Sequence, residues 1–444
     1  LKSLRTKGFN KQKVNVITLG CAKNLVDSEI LITQLKHNHI HVQHESTDMH
    51  PEVVVINTCG FIESAKQESI DTILRYADEK EKGNISKLYI TGCLSERYRN
   101  QLEEEIPQVD AFFGTRELPA LLKKFNTTYK HELVGERLIT TVPHYAYMKI
   151  SEGCDRPCAF CAIPIMRGKH ISRPMEELIN ESKNLAKRGV KELLLIAQDS
   201  TYYGLDIYNA RKLGDLLKLL SDVNGIEWIR LHYAFPSGFP EDVLDAIRER
   251  SNICNYIDIP LQHSSTSVLK IMKRGISKEG SEKLIDIIRE KVPGIVIRTT
   301  MMVGHPGETK KDFEELLNFI GKVKFERLGV FTYSHEEGTA SYSLNDSISA
   351  KEKKQRADQV MRIQEEISQE FNNALINKTL KVLIDRKENN YYFGRTEYDS
   401  PEVDNEVIID ATNNYLRLGD FAQIKISDAL PFDLIGNPLN NKSV

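Results

Sequence analysis

"YMKISEGCDRPCAFC", Tyr147–Cys161, joins an apolar, strand-like segment to three cysteines separated by three and then two residues. Comparable apolar segments recur downstream as "ELLLIAQDS", "WIRLHYAFP", "YIDIPLQHS", "IVIRTTMMVG" and "LGVFTYS". Helical stretches such as "FPEDVLDAIRERS" and "KKDFEELLNFIGKV" separate them. Six such β/α repeats predict a full or partial TIM-like barrel, whose chemistry sits at the C-terminal ends of its strands. The cysteines begin just past the first strand, on that edge.

Upstream, from Lys13 to about Phe125, strand and helix patterns also alternate: "VNVITLG", the amphipathic "NLVDSEILITQLKHN", "VVVINT", a helix from about Ile62 to Asp78, then "KLYITG". This order predicts a parallel sheet with helices on both faces. Cys21, Cys59 and Cys93 each fall at or just after the end of one of the three strands. Parallel strands end on one edge, so three cysteines far apart in sequence are expected to converge.

Downstream, a long polar helix is expected over Ser349–Lys378, with Val360, Ile363, Ile367, Phe371 and Leu375 on its packed side. The last segment alternates short strands and turns, as a small all-β barrel does. From Phe371 to the end, eight Lys and Arg face eleven Asp and Glu, a balance of −3 that includes the run "PEVDNEVIID". Such a domain is expected to present an acidic surface, which repels nucleic acid and suits a basic protein partner.

The chain has 444 residues, 40% hydrophobic and 28% charged, and a net charge of −3. That length calls for several domains. No apolar run reaches the ~20 residues that span a bilayer, and the basic N-terminal "LKSLRTKGFNKQK" lacks a signal-peptide apolar core. A cytoplasmic location without membrane contact is therefore expected. In that compartment clustered cysteines point to metal or catalytic use.

Zinc held by Cys154, Cys158 and Cys161 would need a fourth ligand, for which His170 is nearest in sequence, or an open water position. A 4Fe-4S cube on three thiolates leaves one iron open, where S-adenosylmethionine can chelate. The triplet at Cys21, Cys59 and Cys93 repeats this three-thiolate logic, so two 4Fe-4S clusters are expected. Cys254, in "SNICNYIDIP", reads instead as a small buried apolar residue.

The motif Cys-x3-Cys-x2-Cys with an aromatic before its last cysteine resembles the radical S-adenosylmethionine superfamily. With "NTCGFIESAKQES", "TGCLSERY", "IMRGKHISRP" and "VGHPGET", the whole chain resembles the methylthiotransferase family. The family usually has Phe where this chain has His305. "LGCAKNLVDSE" and "GCDRPCAFCAIP" resemble the branch that modifies an aspartate of a small-subunit ribosomal protein, rather than the branch acting on transfer RNA adenosines.

The resemblance implies three parts: an N-terminal domain for an auxiliary cluster (12–126), a radical core (140–370) and a C-terminal TRAM domain (371–440). It also implies two molecules of S-adenosylmethionine. One methylates a sulfur at the auxiliary cluster; the other yields a deoxyadenosyl radical that takes hydrogen from the aspartate β-carbon. A reductant such as flavodoxin or ferredoxin and a sulfur donor are implied partners. Gln198, Gln262, Arg298 and Thr300, at predicted strand ends, are the candidates to hold S-adenosylmethionine or substrate. Tyr333 and His335 fall at a further strand end without an assigned role. The remaining rival of another class is a non-catalytic iron-sulfur or zinc scaffold on the ribosome.

Overall fold

The computed structural model describes residues 12–47 and 51–439, so the basic stretch at 1–11 and the tail from 440 lie outside the described residues. The chain divides into two compact units, one of residues 1–140, 152–155 and 162–169, the other of 141–151, 156–161 and 170–444.

In the first unit five strands are all parallel: β1 (Lys13–Thr18), β2 (His41–His44), β3 (Val53–Thr58), β4 (Lys87–Gly92) and β5 (Ala111–Phe112). Their order is β2-β1-β3-β4-β5. The three strands expected from the sequence form its centre. The additional edge strands β2 and β5 are short, and "HVQH" carries too little apolar pattern to announce itself. Alternation along β3 explains the layers. Val53 and Val55 pack with Leu31, Ile32 and Leu35 of helix α1 (Ala22–His37), whereas Val54 and Ile56 pack with Ile73 and Ala77 of α2 (Glu63–Glu81). With α1 and α2 on opposite faces, the chain changes direction between β1 and β3, the position where open α/β sheets form a crevice at their strand C-termini.

The second unit holds β6 (Tyr145–Lys149), β9 (Glu192–Ile196), β10 (Trp228–Leu231), β11 (Ile253–Asp258), β12 (Val296–Val303) and β13 (Arg327–Thr332) in that spatial order. Short strands β7 (Ser151–Glu152) and β8 (Ile171–Ser172) bracket the cysteine loop in sequence. All neighbours in the six-stranded sheet are parallel, and the sheet ends at β6 and β13 without closing: a partial barrel. The helix Lys310–Val323 starts at a capping box, with Thr309 and Asp312 each bonding the other's backbone N–H. The long helix runs from Ala350 to Asn373, capped by Ser349, and ends earlier than Lys378 because the chain turns into the C-terminal barrel. Val360 and Ile367 are buried on its packed side.

That barrel is closed, in the order β14-β15-β16-β18-β17, from β14 (Thr379–Glu388), β15 (Tyr391–Arg395), β16 (Glu406–Asp410), β17 (Phe421–Ala429) and β18 (Asp433–Pro438). It packs on the parallel sheet through Leu383 and Phe421, against Trp228, Cys254, Tyr256 and Val296. Cys254 is thus a core residue, as its sequence suggested.

The expected acidic surface is not there. Asp399 pairs with Arg327 at 2.7 Å, Asp404 with Arg298 at 3.2 Å, and both aspartates have almost no exposed side-chain surface. Asp385 holds Arg395, which also pairs with fully buried Glu192, itself bonded to Arg230. Asp399 and Asp404 thus serve as counter-charges to arginines of the parallel sheet, and Arg395 of the barrel serves Glu192 of that sheet. On the barrel's exposed surface Lys378, Lys381, Lys387, Arg417 and Lys425 face Glu388, Glu402, Asp410 and Asp428, close to balance. The net charge of the domain therefore carries no argument about RNA or a basic partner. Among the described residues no helix is long and apolar enough to cross a membrane.

Candidate functional site

In the first unit, Cys59 and Cys93 directly follow β3 and β4, and Cys21 caps the N-terminus of α1 three residues after β1. Cys93 is the first residue of α3 (Cys93–Glu105). The turns that deliver them require glycine. Gly20 has φ +89°, and a Cβ there would lie 2.6 Å from Cys59 Cβ and 2.9 Å from its Sγ; a Cβ on Gly60 would meet the Leu94 backbone at 2.8 Å. The three loops therefore interlock.

Asn24, fully buried, ties them further. Its Nδ2 donates to the carbonyls of Leu19 (2.8 Å) and Thr58 (3.0 Å), while its Oδ1 accepts from the Cys93 thiol at 3.8 Å and from Arg167. Arg167 is buried and also pairs with Asp27 (2.7 Å) and Glu152 (3.2 Å). Burial pushes the Cys59 thiol above its ordinary range and the Cys93 thiol up to about 12, the charge of Arg167 opposing it at both. Cys21 adds to the upward push on each. Such thiols ionise when a cation takes them as ligands.

In the second unit the strand C-termini line one edge of the partial barrel. The cysteine loop is fastened there by Arg156, whose Nε pairs with Asp199 at 2.6 Å and whose guanidinium lies over Tyr202 (4.7 Å) and Phe235 (4.1 Å). Ala159 donates its N–H to Met272 O (2.9 Å) and accepts from Ser341 N–H (2.7 Å). The Cys158 sulfur accepts from Arg274 Nη1 at 3.2 Å. Cys161 and Cys158 are half-buried, as is Cys154, whose N–H donates to Gly168 O within the first unit.

The other expected residues are distributed unevenly. Gln198, beside Asp199, is half-buried two positions past β9. Gln262 takes φ +76° and bridges into β12, donating N–H to Thr300 O (2.9 Å) and accepting from Met302 N–H (2.7 Å). Gln262 and Thr300 are thereby brought together. Arg298 and Thr300 lie inside β12, which runs on to Val303, and not at its end as expected, and Arg298 is engaged by Asp258 (3.1 Å) and Asp404 (3.2 Å). Burial works against the Asp258 carboxylate, yet Arg298 beside it holds the pKa down to about 2.

His170, the one nearby candidate for zinc, bonds Ser172 Oγ at 3.0 Å. His305 is fully buried, bonded to Pro306 O and Ser341 Oγ at 2.9 Å each, and burial lowers its pKa to about 4, so it is a neutral packing residue. Tyr333 is buried and its hydroxyl meets His335 Nδ1 at 3.2 Å. Asn24, Arg167, Arg156 and Arg274 escaped the sequence reading because each acts on a cysteine loop through a long-range contact. "CAKN" is the only local hint, placing Asn24 one turn into the helix that Cys21 caps.

Among the described residues no three His, Cys, Asp or Glu side chains are grouped as a single-ion site. A cubane spreads its thiolates over several irons. Thiols alone at interlocked strand ends, with the Arg274 donor on one of the second set, fit such clusters.

Three family models match in sequence: "Uncharacterized protein family UPF0004" over residues 13–114, the radical SAM superfamily over 148–320 and the TRAM domain over 376–439. A curated protein of Cytophaga hutchinsonii, named ribosomal protein uS12 methylthiotransferase RimO, is 64% identical over 98% of this chain and 99% of its own. The chain belongs to the RimO family.

Further RimO relatives are those of Flavobacterium psychrophilum, 57% identical over 98% of this chain and 100% of theirs, and Bacteroides thetaiotaomicron, 52% over 97% and 99%. Among solved structures, the radical S-adenosylmethionine methyltransferase TsrM of Kitasatospora setae superimposes with TM-score 0.55 at 14% identity, over 72% of this chain and 73% of its own. The cobalamin-dependent enzyme OxsB gives 0.52 at 13% identity, over 81% and 56%. Both are likenesses of fold. The RimO family is one of radical S-adenosylmethionine enzymes, so the chain is an enzyme, a transferase using 4Fe-4S clusters and S-adenosylmethionine.

Proposed function

We propose that this enzyme adds a methylthio group to ribosomal protein uS12, at the β-carbon of an aspartate. The observation that carries the reading is two thiol triplets in one chain, Cys21, Cys59 and Cys93 at the strand ends of the N-terminal sheet and Cys154, Cys158 and Cys161 following the first strand of the partial barrel. When bound, a cluster with one open iron supplies reductive cleavage of S-adenosylmethionine to a 5′-deoxyadenosyl radical, and a second supplies the sulfur to be transferred.

The chain's own part is to position and enclose. Gln198 and Gln262, just past β9 and β11, offer polar groups to S-adenosylmethionine and substrate, with Thr300 inside β12 beside Gln262. Arg298 keeps Nη2 for the same purpose, with Nε and Nη1 committed to Asp404 and Asp258. Arg156 and Asp199 fix the cysteine loop. Radical abstraction suits this target because the aspartate β-hydrogens are too weakly acidic for a side-chain base. Residues 12–126, 140–370 and 371–440 form the auxiliary, radical and TRAM parts. The enzyme works in the cytoplasm with a flavodoxin- or ferredoxin-type reductant and a separate sulfur donor.

Anaerobic reconstitution tests the metal content: about eight irons per chain are expected, falling to about four in Cys21→Ala. Zinc, or a single cluster, would overturn it. Mass spectrometry of a deletion strain should show unmodified uS12; loss of a transfer RNA methylthioadenosine instead would move the substrate to RNA.

A further inference from the structure

Seven arginines of the described chain are buried. Six answer to a carboxylate: Arg137 to Glu29, Arg167 to Asp27, Arg230 and Arg395 to Glu192, Arg327 to Asp399, Arg356 to Glu308. Arg274 is the exception. It is 5% exposed, and its partners are the Cys158 sulfur at 3.2 Å, the Pro260 carbonyl and the Phe235 ring at 4.2 Å. Its Nε has no hydrogen-bond partner. A guanidinium does not deprotonate in a protein, and a buried charge without a counter-charge is costly.

The backbone around Arg274 is built to aim it. The turn after the helix Thr266–Ile271 has Lys273 at φ +55° and Gly275 at φ +68°, and Arg274 N–H bonds Leu269 O at 3.0 Å. Two residues earlier, Met272 O receives Ala159 N–H at 2.9 Å. One turn therefore holds both the backbone and the sulfur of the cysteine loop.

We infer that Arg274 is the charge partner of the cluster bound through Cys158, donating an N–H to that thiolate and favouring the cluster's reduced state. The inference rests on the radical-cluster reading of Cys154, Cys158 and Cys161. A three-thiolate cube is anionic and becomes more so when it accepts an electron, so a fixed guanidinium in a dry site stabilises the reduced form more than the oxidised form. Arg274 touches the thiolate and not the reacting atoms, and is a positioning and tuning residue.

The test is a redox titration of the reconstituted full-length enzyme by electron paramagnetic resonance, following the cluster whose spectrum changes on adding S-adenosylmethionine. With iron fully retained, Arg274→Gln should shift that cluster's reduction equilibrium about tenfold toward the oxidised form, which for one electron is about 59 mV. The other cluster should not move, and Arg274→Lys should recover most of the shift. An unchanged potential in Arg274→Gln with full iron overturns the inference. If Arg274→Gln fails to load iron, recovery of loading by Arg274→Lys supports the charge role and loss in both overturns it. A wild-type enzyme with no cluster responsive to S-adenosylmethionine overturns the functional reading, and this inference with it.

Discussion

Gly20 shows how little room the first thiol site leaves. Its φ of +89° and its closeness to Cys59 make any side chain both strained and obstructive. Gly20→Ala should cost at least about 1 kcal/mol of stability, and should halve the iron bound per chain while the S-adenosylmethionine-responsive cluster survives. Iron assay and denaturant unfolding check this. His263 gives a pH dependence. It is fully buried, its Nδ1 accepts from Ser265 N–H at 2.9 Å, and burial lowers its pKa from 6.5 to about 4. Asp312 opposes that shift, while His305 and Arg356 add to it. Between these two values the unfolded chain binds a proton that the folded one refuses. Its stabilising share is thus complete above pH 6.5 and falls as the pH drops toward 4, by up to about 3 kcal/mol. Unfolding curves from pH 7 to 4.5 should flatten in His263→Asn; an undiminished slope would assign the acid sensitivity elsewhere.

At the scale of elements, the start of the helix Lys310–Val323 is secured twice. Thr309 and Asp312 form its capping box, and Asp312 also accepts from the hydroxyls of Ser265 (2.6 Å) and Ser267 (2.7 Å). Removing Thr309 with alanine should cost about 1 kcal/mol. Asp312→Ala should cost more, because it also releases the segment after β11 that carries Gln262 and His263. Equal losses for the two variants would show that the serine contacts contribute nothing. The strand-helix alternation that made these elements legible is local, and so were the strand ends bearing Cys59 and Cys93. Strands β2 and β5 were illegible because four and two residues hold too little pattern for a period to appear.

For the molecule at large, the C-terminal barrel and the parallel sheet share one core and one set of buried charges. Asp399→Asn leaves Arg327 buried without its counter-charge, a change expected to cost about 3–5 kcal/mol. The single tryptophan, Trp228, is buried with its ring 4.7 Å from that of Phe421, and so reports this junction. Its emission should shift red at lower denaturant in Asp399→Asn than in the parent chain, in step with circular dichroism. Separate transitions for the two probes would show that the barrel and sheet unfold independently. The acidic run misled at this scale. A row of carboxylates is ordinarily solvated, but within this run Asp404 meets Arg298 of β12 and Glu406 meets Arg386, and Asp399 just before it meets Arg327 of β13.

The amino-acid sequence by itself determined the three-part α/β and all-β plan and the six cysteines at or beyond strand ends. Hydrophobic period, turn glycines and cysteine spacing are all properties of near neighbours, so they can be read along the chain. Tertiary structure alone decided which charges were already taken. Arg298 is paired through a residue 106 positions away, and Arg274 reaches Cys158 across 116. A buried charge is matched by whatever the fold brings within a few ångströms, and separation along the chain does not encode that distance.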